Sequence, residues 1–211
     1  MNKEIQCEQL SQEWFNERLK RITGSKFQKL MPTKRQKPDQ WNDTQLSILR
    51  EIAAQILTGE REETFTSKAM QWGIDNEKNA KRAFELHDMV TVRDCGIFIY
   101  SDRIGASPDG IIESTGETWE TKCPSSKNHL LYWLDSTVLY EDYKWQVIGE
   151  CFCSGLTKGV ICSYDPRFPD DKQLVIHRFE PTVEEFEQLK DRLDLAVELI
   201  NEWVEPITVN F

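Results

Sequence analysis

The chain has 211 residues, of which 39% are hydrophobic and 29% charged, a composition typical of an ordinary globular domain with its own core. It lacks both an apolar run of roughly 18 residues and an apolar N-terminal stretch, which excludes a spanning helix and a secretory signal and predicts a cytoplasmic protein. The formal net charge of −10 by itself argues against nucleic-acid binding. Six cysteines occur without a Cys-x-x-Cys pair, so we expect reduced thiols instead of a zinc or iron–sulfur site.

The negative net charge conceals a basic segment near the N-terminus. Residues 18–37 contain eight Lys or Arg side chains and no acid, whereas residues 180–205 contain nine acids. Exposed charges act over roughly 8 Å at physiological salt. A local basic surface can therefore hold phosphate on a protein that is acidic overall.

The N-terminal third is predicted to be helical from the spacing of its apolar residues. The predicted helices cover residues 8–21, 40–58 and 68–87. A basic loop from Met31 to Asp39 and a polar link over 60–66 separate them. Gly59 stands where the second helix should end, and Ser67 is expected to cap the third.

The rest of the chain alternates between strands and helices. The predicted strands are 90–93, 96–100, 111–112, 118–121, 159–164 and 174–179, and the predicted helices are 127–136, 142–155 and 182–204. This order indicates an α/β fold with a central mixed β-sheet flanked by helices. We expect one domain over 1–211, with N-terminal helices over 1–60, a core over about 67–180 and a C-terminal helix over about 182–204.

Two short motifs predict a metal site. Asp109 lies in a Ser-Pro-Asp-Gly turn, and Glu120-Thr121-Lys122 follows at the end of a strand-like run. Side chains two residues apart on a strand share a face, so Glu120 and Lys122 can meet Asp109 at one point. Carboxylates suit Mg²⁺ or Mn²⁺. The backbone carbonyl of Thr121 is a possible third ligand, and Glu77 on the preceding helix is a fourth, directly or through water.

This donor set suits the hydrolysis of a phosphodiester. Two metal ions roughly 3.5–4 Å apart can activate a water and stabilise both the attacking and the leaving oxygen. The ammonium of Lys122 could orient that water or offset charge in the transition state. Each motif alone is also common on protein surfaces, as a turn or as an ordinary Glu-x-Lys pattern. Only their combination across two strands indicates a site.

Seven short motifs occur in one order between Trp14 and Arg167. They are Trp14-x-x-x-Arg18, Ile22-Thr23-x-Ser25, Trp72-Gly73-x-x-x-Glu77, Ser107-Pro108-Asp109-Gly110, Glu120-x-Lys122-Cys123-Pro124, Tyr143-x-x-Gln146-Val147 and Tyr164-Asp165-Pro166-Arg167. In this the chain resembles the phage lambda exonuclease family of viral recombinases, also called YqaJ-type, within the PD-(D/E)xK nuclease superfamily. The resemblance covers most of the chain and implies a restriction-endonuclease-like core.

The resemblance implies an activity and an assembly. Such enzymes use Mg²⁺ to digest one strand of linear double-stranded DNA from its 5′ end, release mononucleotides and leave a 3′ overhang. They prefer 5′-phosphorylated ends. The family forms a homotrimer ring around DNA, which would place basic residues in the channel and acids outside. Its partner is a single-strand annealing protein, and its place is the cytoplasm of a bacterial host, encoded by a phage or prophage. Two Mg²⁺ ions are expected, with Mn²⁺ as a substitute.

The resemblance also assigns roles to individual residues. The matching catalytic and metal-binding positions are Asp109, Glu120, Lys122 and Glu77, and the matching pocket for the terminal phosphate consists of Arg18, Ser25, Ser107 and Gln146. Met70 matches an apolar residue that wedges between the strands at the duplex end, with a core methionine as the alternative. The basic segment departs from the family in length, so the contacts of Lys34, Arg35 and Lys37 with the duplex stay open.

Two other functions remain open at this stage. One is a different PD-(D/E)xK nuclease, such as an endonuclease or a RecB-like enzyme. The other is a DNA-end-binding protein with an inactive site, which the intact Asp109, Glu120 and Lys122 disfavour. An endonuclease would cut a closed circle of DNA, and an exonuclease would spare it.

Overall fold

A computed structural model describes residues 3–33, 35–61 and 67–208 of the chain. The helices are α1 (Gln12–Arg18), α2 (Gly24–Leu30), α3 (Asp43–Thr58), α4 (Lys68–Asp88), α5 (Ser126–Leu134), α6 (Ser136–Ser154) and α7 (Val183–Thr208). The strands are β1 (Lys3–Ile5), β2 (Ile22–Thr23), β3 (Val92–Arg93), β4 (Ile97–Ser101), β5 (Ile104–Ala106), β6 (Gly110–Ile112), β7 (Glu117–Lys122), β8 (Gly159–Tyr164) and β9 (Leu174–Phe179). Within these ranges, no helix combines the length and the apolarity that crossing a membrane requires.

The strands form two sheets, and both are mixed. A five-stranded sheet has the order β3-β6-β7-β8-β9, in which only β7 and β8 are parallel. A four-stranded sheet has the order β1-β4-β5-β2, in which β2 runs parallel to β5. The predicted α/β class with a mixed sheet is confirmed. The chain leaves one sheet after β5 and enters the other at β6, so the turn with Asp109 joins the two sheets.

Helices cover both faces of the five-stranded sheet. Val160 and Cys162 of β8 pack in a cluster with Phe84 of α4, and Ile161 packs in a cluster with Val147 of α6. Every residue of β8 is buried. A strand that is covered on both faces is nearly all apolar, and in β8 the exception is Ser163, whose hydroxyl pairs with His129; the sequence therefore shows no alternation. The sheet therefore holds α4 and α6 against opposite faces of β7 and β8.

A glycine allows α2 to lie directly against α6. A Cβ atom at Gly149 would come within 2.0 Å of the Phe27 ring, so only glycine permits this contact. Phe27 is fully buried there, in α2. The start of α2, which carries Ser25, is thereby brought next to α6.

Most predicted helices are confirmed, with shifted boundaries. Ser67 caps α4 at the Met70 amide, and Gly59 ends α3 with a φ of 73°. The predicted helix over 8–21 is confirmed only for Gln12–Arg18 and is wrong at both ends. After Arg18 the chain leaves the helix, and Lys20 has a φ of 70°. The reason is that Ile22 and Thr23 pair with β5 as a strand.

Several short elements were not predicted. The strands β1 and β5 have three residues each and β2 has two, which is too short for a recognisable apolar period. The helix α2 lies inside the basic segment, and α6 begins at Ser136 because Asp135 caps it. The loop from Met31 to Asp39 has no helix or strand among its described residues, as predicted, while Lys34 and residues 62–66 lie outside the described ranges. All six cysteines are unpaired.

Candidate functional site

The turn with Asp109 and the end of β7 are joined by two reciprocal hydrogen bonds. The Thr121 amide donates to Asp109 Oδ2 at 2.8 Å, and the Asp109 amide donates to Glu120 Oε2 at 3.3 Å. The carbonyl of Pro108 is held from the other side by Gln9 Nε2 at 2.8 Å and by the Cys95 thiol at 3.1 Å. The structure therefore brings Asp109 and Glu120 together, as the spacing of the two motifs predicts.

Lys122 lies on the same face of β7 as Glu120. Its Nζ donates to Glu120 Oε1 at 2.6 Å and to Gln146 Oε1 at 3.3 Å, and it lies 4.9 Å from the centre of the Tyr143 ring. Burial alone would lower the pKa of Lys122, but the charges of Glu120 and Asp109 outweigh it and raise that pKa. Lys122 is therefore an ammonium in this arrangement and has no lone pair with which to take up a proton.

A buried acid of α6 completes the cluster, and sequence reasoning missed it. Gln146 Nε2 donates to Glu120 Oε1 at 2.6 Å and to Glu150 Oε1 at 2.9 Å, so the amide joins the two carboxylates. Glu150 is 1% exposed. The spacing of Gln146 and Glu150, four residues apart on one helix, was the signal that could have indicated it, because such residues share a helix face.

The site carries an excess of negative charge. Burial and the charge of Glu120 raise the pKa of Asp109 and the pKa of Glu150 well above their usual values. Desolvation by the surrounding protein and the charge of Glu120 also raise the pKa of Glu77, although part of that side chain is exposed to solvent. Lys122 is the cation that opposes these shifts in all three acids. Such a cluster favours the binding of a further cation.

Glu77 reaches the site from α4, across a cleft of about 1120 Å³. Both Glu77 and Asp109 line this cleft, together with Lys78 and Arg82 of the same helix. The helix is fixed in place by the Tyr-Asp-Pro-Arg motif that follows β8. Arg167 stacks 4.3 Å from the Trp72 ring of α4 and is held by Asp165 through two bonds of 2.7 Å.

The carboxylates of the cluster can be compared with the ligands that Mg²⁺ prefers. Among the residues that the structure describes, no three Asp, Glu, His or Cys side chains are arranged as a metal site. Mg²⁺ does not need such a cage, because it is usually bound by one or two carboxylates together with waters and substrate phosphates. Asp109 and Glu120 supply two hard oxygen donors next to each other in a cluster with surplus negative charge. These residues fit the ion.

Arg18 lies beside the acidic cluster on the face of an aromatic ring. Its guanidinium is 4.1 Å from the centre of the Trp14 ring, and its Nη2 donates to the Thr23 hydroxyl at 3.1 Å. Burial and the nearby charge of Arg61 lower the pKa of Arg18 to about 10, so it stays protonated at neutral pH. Arg18 keeps further N–H groups that a phosphate could use.

Ser107 and Gln146 already use their protons within the protein. The Ser107 hydroxyl donates to the Gly96 carbonyl at 2.5 Å and accepts from Trp14 Nε1 at 2.8 Å. Both N–H groups of Gln146 go to carboxylates. To bind a phosphate as the family resemblance implies, each side chain must redirect one hydrogen bond.

Ser25 and Met70 lie on the surface. Ser25 is exposed in the first turn of α2, next to Gly24, whose Cβ position is 3.6 Å from Glu150 Oε1. Met70 is 52% exposed in the first turn of α4, so the alternative of a core methionine is wrong. Its role as a wedge stays a prediction.

A second arginine near the site was not predicted. Arg61 stacks 4.5 Å from the Phe15 ring, and Phe15 in turn packs edge-on against Trp14, with 5.1 Å between ring centres. Two guanidinium groups thus rest on adjacent aromatic rings. Farther along the basic segment, Lys26 is paired with Glu51 at 2.8 Å, whereas Arg35 and Lys37 are exposed. Lys34 lies outside the described residues.

Comparisons with known proteins identify a family and a shared fold. The sequence model of the YqaJ-like viral recombinase domain matches residues 13–157. An alkaline exonuclease from Laribacter hongkongensis has a TM-score of 0.84 at 25% identity, over 95% of this chain and 97% of that chain. The complex of that enzyme with dAMP has a TM-score of 0.82 at 25% identity, over 95% and 97% of the two chains. A phage-related exonuclease from Haemophilus somnus 129PT shares the fold, with a TM-score of 0.73 at 14% identity over 89% and 96%. A comparison with curated proteins finds no match.

Proposed function

The chain belongs to the YqaJ-like viral recombinase family, and on that premise we propose that it is a metal-dependent exonuclease acting on DNA. In this proposal it digests one strand of linear duplex DNA from the 5′ end, releases mononucleotides and leaves a 3′ overhang. The observation that carries the proposal is the convergence of Asp109, Glu120 and Lys122 in one hydrogen-bonded cluster. The two structures of the L. hongkongensis enzyme support an exonuclease of the phage type.

We assign Mg²⁺ to the carboxylates of Asp109 and Glu120, with Mn²⁺ as a substitute. The N–H and C=O of one strand residue point to the same side, so the carbonyl of Thr121 faces the side to which its amide already donates, that of Asp109. Glu77 would hold a second ion directly or through water, from the wall of the cleft. When bound, such ions activate a water and stabilise the charge on the oxygens around phosphorus.

Lys122 acts as a charged hydrogen-bond donor in this proposal. Because it is an ammonium held by Glu120, it can orient the attacking water and stabilise negative charge on the phosphate oxygens. It does not serve as the general base while it keeps that proton. Asp109 and Glu120 are acceptors in the same cluster and can hold the water's protons in place.

The terminal 5′ phosphate is assigned to Arg18, Ser25, Ser107 and Gln146. A guanidinium gives phosphate the strongest, charge-assisted hydrogen bonds of this set. Arg18 is pre-oriented by its stacking on Trp14, which limits the entropy that is lost on binding. Met70, exposed at the start of α4, is assigned to the end of the duplex as a wedge.

The assembly and the setting are part of the same proposal. A homotrimer ring would enclose the duplex and explain how an acidic chain retains DNA, since Arg35 and Lys37 could then face the channel. A single-strand annealing protein would load on the 3′ overhang. The single nuclease domain over 1–211 would work in the cytoplasm of a bacterial host or from a prophage.

A digestion assay on linear and closed-circular duplex DNA tests the proposal. The expected result with Mg²⁺ is loss of the linear DNA, faster with 5′-phosphate than with 5′-hydroxyl ends, and an intact circle. Cutting of the circle would indicate an endonuclease. An untouched, 5′-phosphorylated linear duplex would contradict the proposal and leave an end-binding protein as the explanation.

A further inference from the structure

Glu150 is a buried carboxylate in which one of the two oxygens accepts a hydrogen bond and the other does not. Its Oε1 accepts from Gln146 Nε2 at 2.9 Å. Its Oε2 is buried and has no hydrogen-bond partner among the described residues. The side chain is 1% exposed, in the middle of α6. A buried oxygen without a partner costs stability, because water would have solvated it.

The neighbours of Glu150 make its presence more costly still. Glu120 and Asp109 act on it as like charges, and Lys122 is the main opposing cation. An apolar side chain of similar length would avoid both the repulsion and the unsatisfied oxygen. Proteins commonly tolerate such a cost at positions that serve function.

Glu150 has one direct partner that belongs to the proposed phosphate pocket, and this is Gln146. The carboxamide of Gln146 presents its two N–H groups to Glu120 and Glu150 and its oxygen to Lys122. The flipped amide would place its oxygen against two carboxylates and its N–H groups against an ammonium. The surrounding charges therefore permit one orientation of the amide.

The two hydrogen bonds that the Gln146 amide donates differ in what their loss would leave behind. Glu120 Oε1 also accepts from Lys122, so it keeps a partner if Gln146 turns away. The Glu150 side chain would be left without a hydrogen-bond partner among the residues that the structure describes. The N–H that points to Glu120 is therefore the one that can be redirected to a phosphate oxygen, while the bond to Glu150 persists.

From this geometry we propose that Glu150 is a positioning residue that holds Gln146 ready to donate to the 5′ phosphate. The inference rests on the proposed function and names a specificity determinant of the same site. Without Glu150, the amide of Gln146 loses the bond that persists when its other N–H turns to the phosphate, and the preference for a phosphorylated end should fall. The chemical step on an unphosphorylated end does not need this N–H and should change little.

Three variants test the proposal. Glu150→Met removes the acceptor at nearly the same length, and Glu150→Gln keeps a carbonyl that can accept from Gln146. Glu141→Gln removes one exposed acid from the same helix and serves as the control. For each variant, the rate of digestion is measured with Mg²⁺ on linear duplexes with 5′-phosphate and with 5′-hydroxyl ends. Thermal unfolding is measured without DNA or metal.

We expect the phosphate-to-hydroxyl rate ratio to fall about ten-fold in Glu150→Met, the worth of one hydrogen bond to a charged group. Glu150→Gln should regain most of this ratio, and Glu141→Gln should equal the wild type. Glu150→Met should also unfold at a temperature equal to or above that of the wild type, by up to about 2–4 °C. A purely structural role predicts the opposite, namely lower stability with an unchanged ratio.

The outcomes separate this inference from the proposed function. If the wild type prefers phosphorylated ends and Glu150→Met keeps the same ratio, the positioning role is wrong and the nuclease stands. If Glu150→Met unfolds at a clearly lower temperature or does not fold, the argument that Glu150 is kept at a cost to stability is overturned. If the wild type shows no preference or no digestion, the proposed function itself fails and takes this inference with it.

Discussion

Two buried clusters of charge in this molecule are built in opposite ways. In the first, Arg192 of α7 is 3% exposed, donates to the carbonyls of Leu30 at 2.8 Å and Gln40 at 2.9 Å, and lies 3.4 Å from the Trp41 ring. Its hydrogen-bond partners are neutral acceptors, and burial lowers the pKa of Arg192 to about 10, so it stays protonated at neutral pH with its N–H groups bonded. In the second cluster, around Glu120, several acids share the ammonium of Lys122, and one oxygen of Glu150 has no hydrogen-bond partner within the described ranges.

This difference distinguishes a structural cluster from a functional one. Arg192 ties the loop that contains the basic residues to α7, and each of its contacts stabilises the folded chain. The cluster around Glu120 lowers the stability of the folded chain, because its negative charges remain unbalanced until a ligand binds. Mutations of Arg192 should therefore lower the free energy of unfolding, whereas mutations around Glu120 should lower the rate of DNA digestion or, at Glu150, the preference for a phosphorylated end.

The largest effect is expected for Glu120→Gln. Removing this carboxylate should lower the rate of DNA digestion on the order of 10³-fold, because it takes away a proposed metal ligand and the charged partner of Lys122. The free energy of unfolding should change by less than about 1 kcal/mol, since one repelling charge is lost with one hydrogen bond. Glu117→Gln on the same strand is the control and should retain activity. Retention of more than about a tenth of the wild-type rate by Glu120→Gln would place it outside the active site.

Arg192→Met is expected to have the largest effect on stability. It removes one donor from each of the carbonyls of Leu30, Pro38 and Gln40 and should lower the free energy of unfolding by about 2–4 kcal/mol. Lys190→Met provides the control, because Lys190 is exposed and pairs with Asp194 one turn away, a contact worth about 0.5 kcal/mol or less. Urea unfolding measures the free energy of unfolding of both variants. An equal decrease in the two would contradict a structural role for Arg192.

Arg18→Ala should change the choice of DNA end more than the chemistry. Loss of charge-assisted hydrogen bonds worth about 1.5–3 kcal/mol should slow the digestion of 5′-phosphorylated ends roughly 10- to 100-fold. Digestion of 5′-hydroxyl ends should slow much less. The measurement is the ratio of the two rates, and equal slowing on both ends would exclude Arg18 from the phosphate pocket.

The smallest effect is expected for Arg61→Ala. Arg61 is exposed on the Phe15 ring, so its contribution to DNA binding should be about 0.5–1 kcal/mol and should shrink as salt rises. Arg50→Ala is a matched control, since Arg50 is also exposed and lies 6.0 Å from an aromatic ring, that of Trp203. Binding of a duplex end by each variant at two salt concentrations decides the question. The same loss in both variants would assign Arg61 no specific role.

The sequence predicted the parts of this molecule that depend on local rules. Asp109, Glu120 and Lys122 could be placed together because a turn followed by a strand has a simple period, and Ser67 and Gly59 mark helix ends by their own chemistry. In the smaller sheet only β4 was predicted; its other strands have two or three residues and exist through pairing with distant segments, as β2 pairs with β5. No local pattern reveals them.

The residues missed at the site were missed for a related reason. Glu150 resembles any other acid of a helix until the fold buries it against Glu120 and Gln146. Arg192 lies in an acidic helix and has the sequence context of a surface base, although its partners lie more than 150 residues away in sequence. Long-range burial of a charge is a tertiary property and cannot be inferred from spacing.

The most direct test of the nuclease assignment follows each strand of one duplex separately. A linear duplex with a 5′ phosphate on one strand and a blocked 5′ end on the other is incubated with the protein and Mg²⁺. The proposed function, with Asp109, Glu120 and Lys122 as the site of cleavage, predicts that the phosphorylated strand shortens from its 5′ end into mononucleotides while the blocked strand keeps its full length. Shortening from the 3′ end, internal fragments, or equal loss of both strands would contradict it.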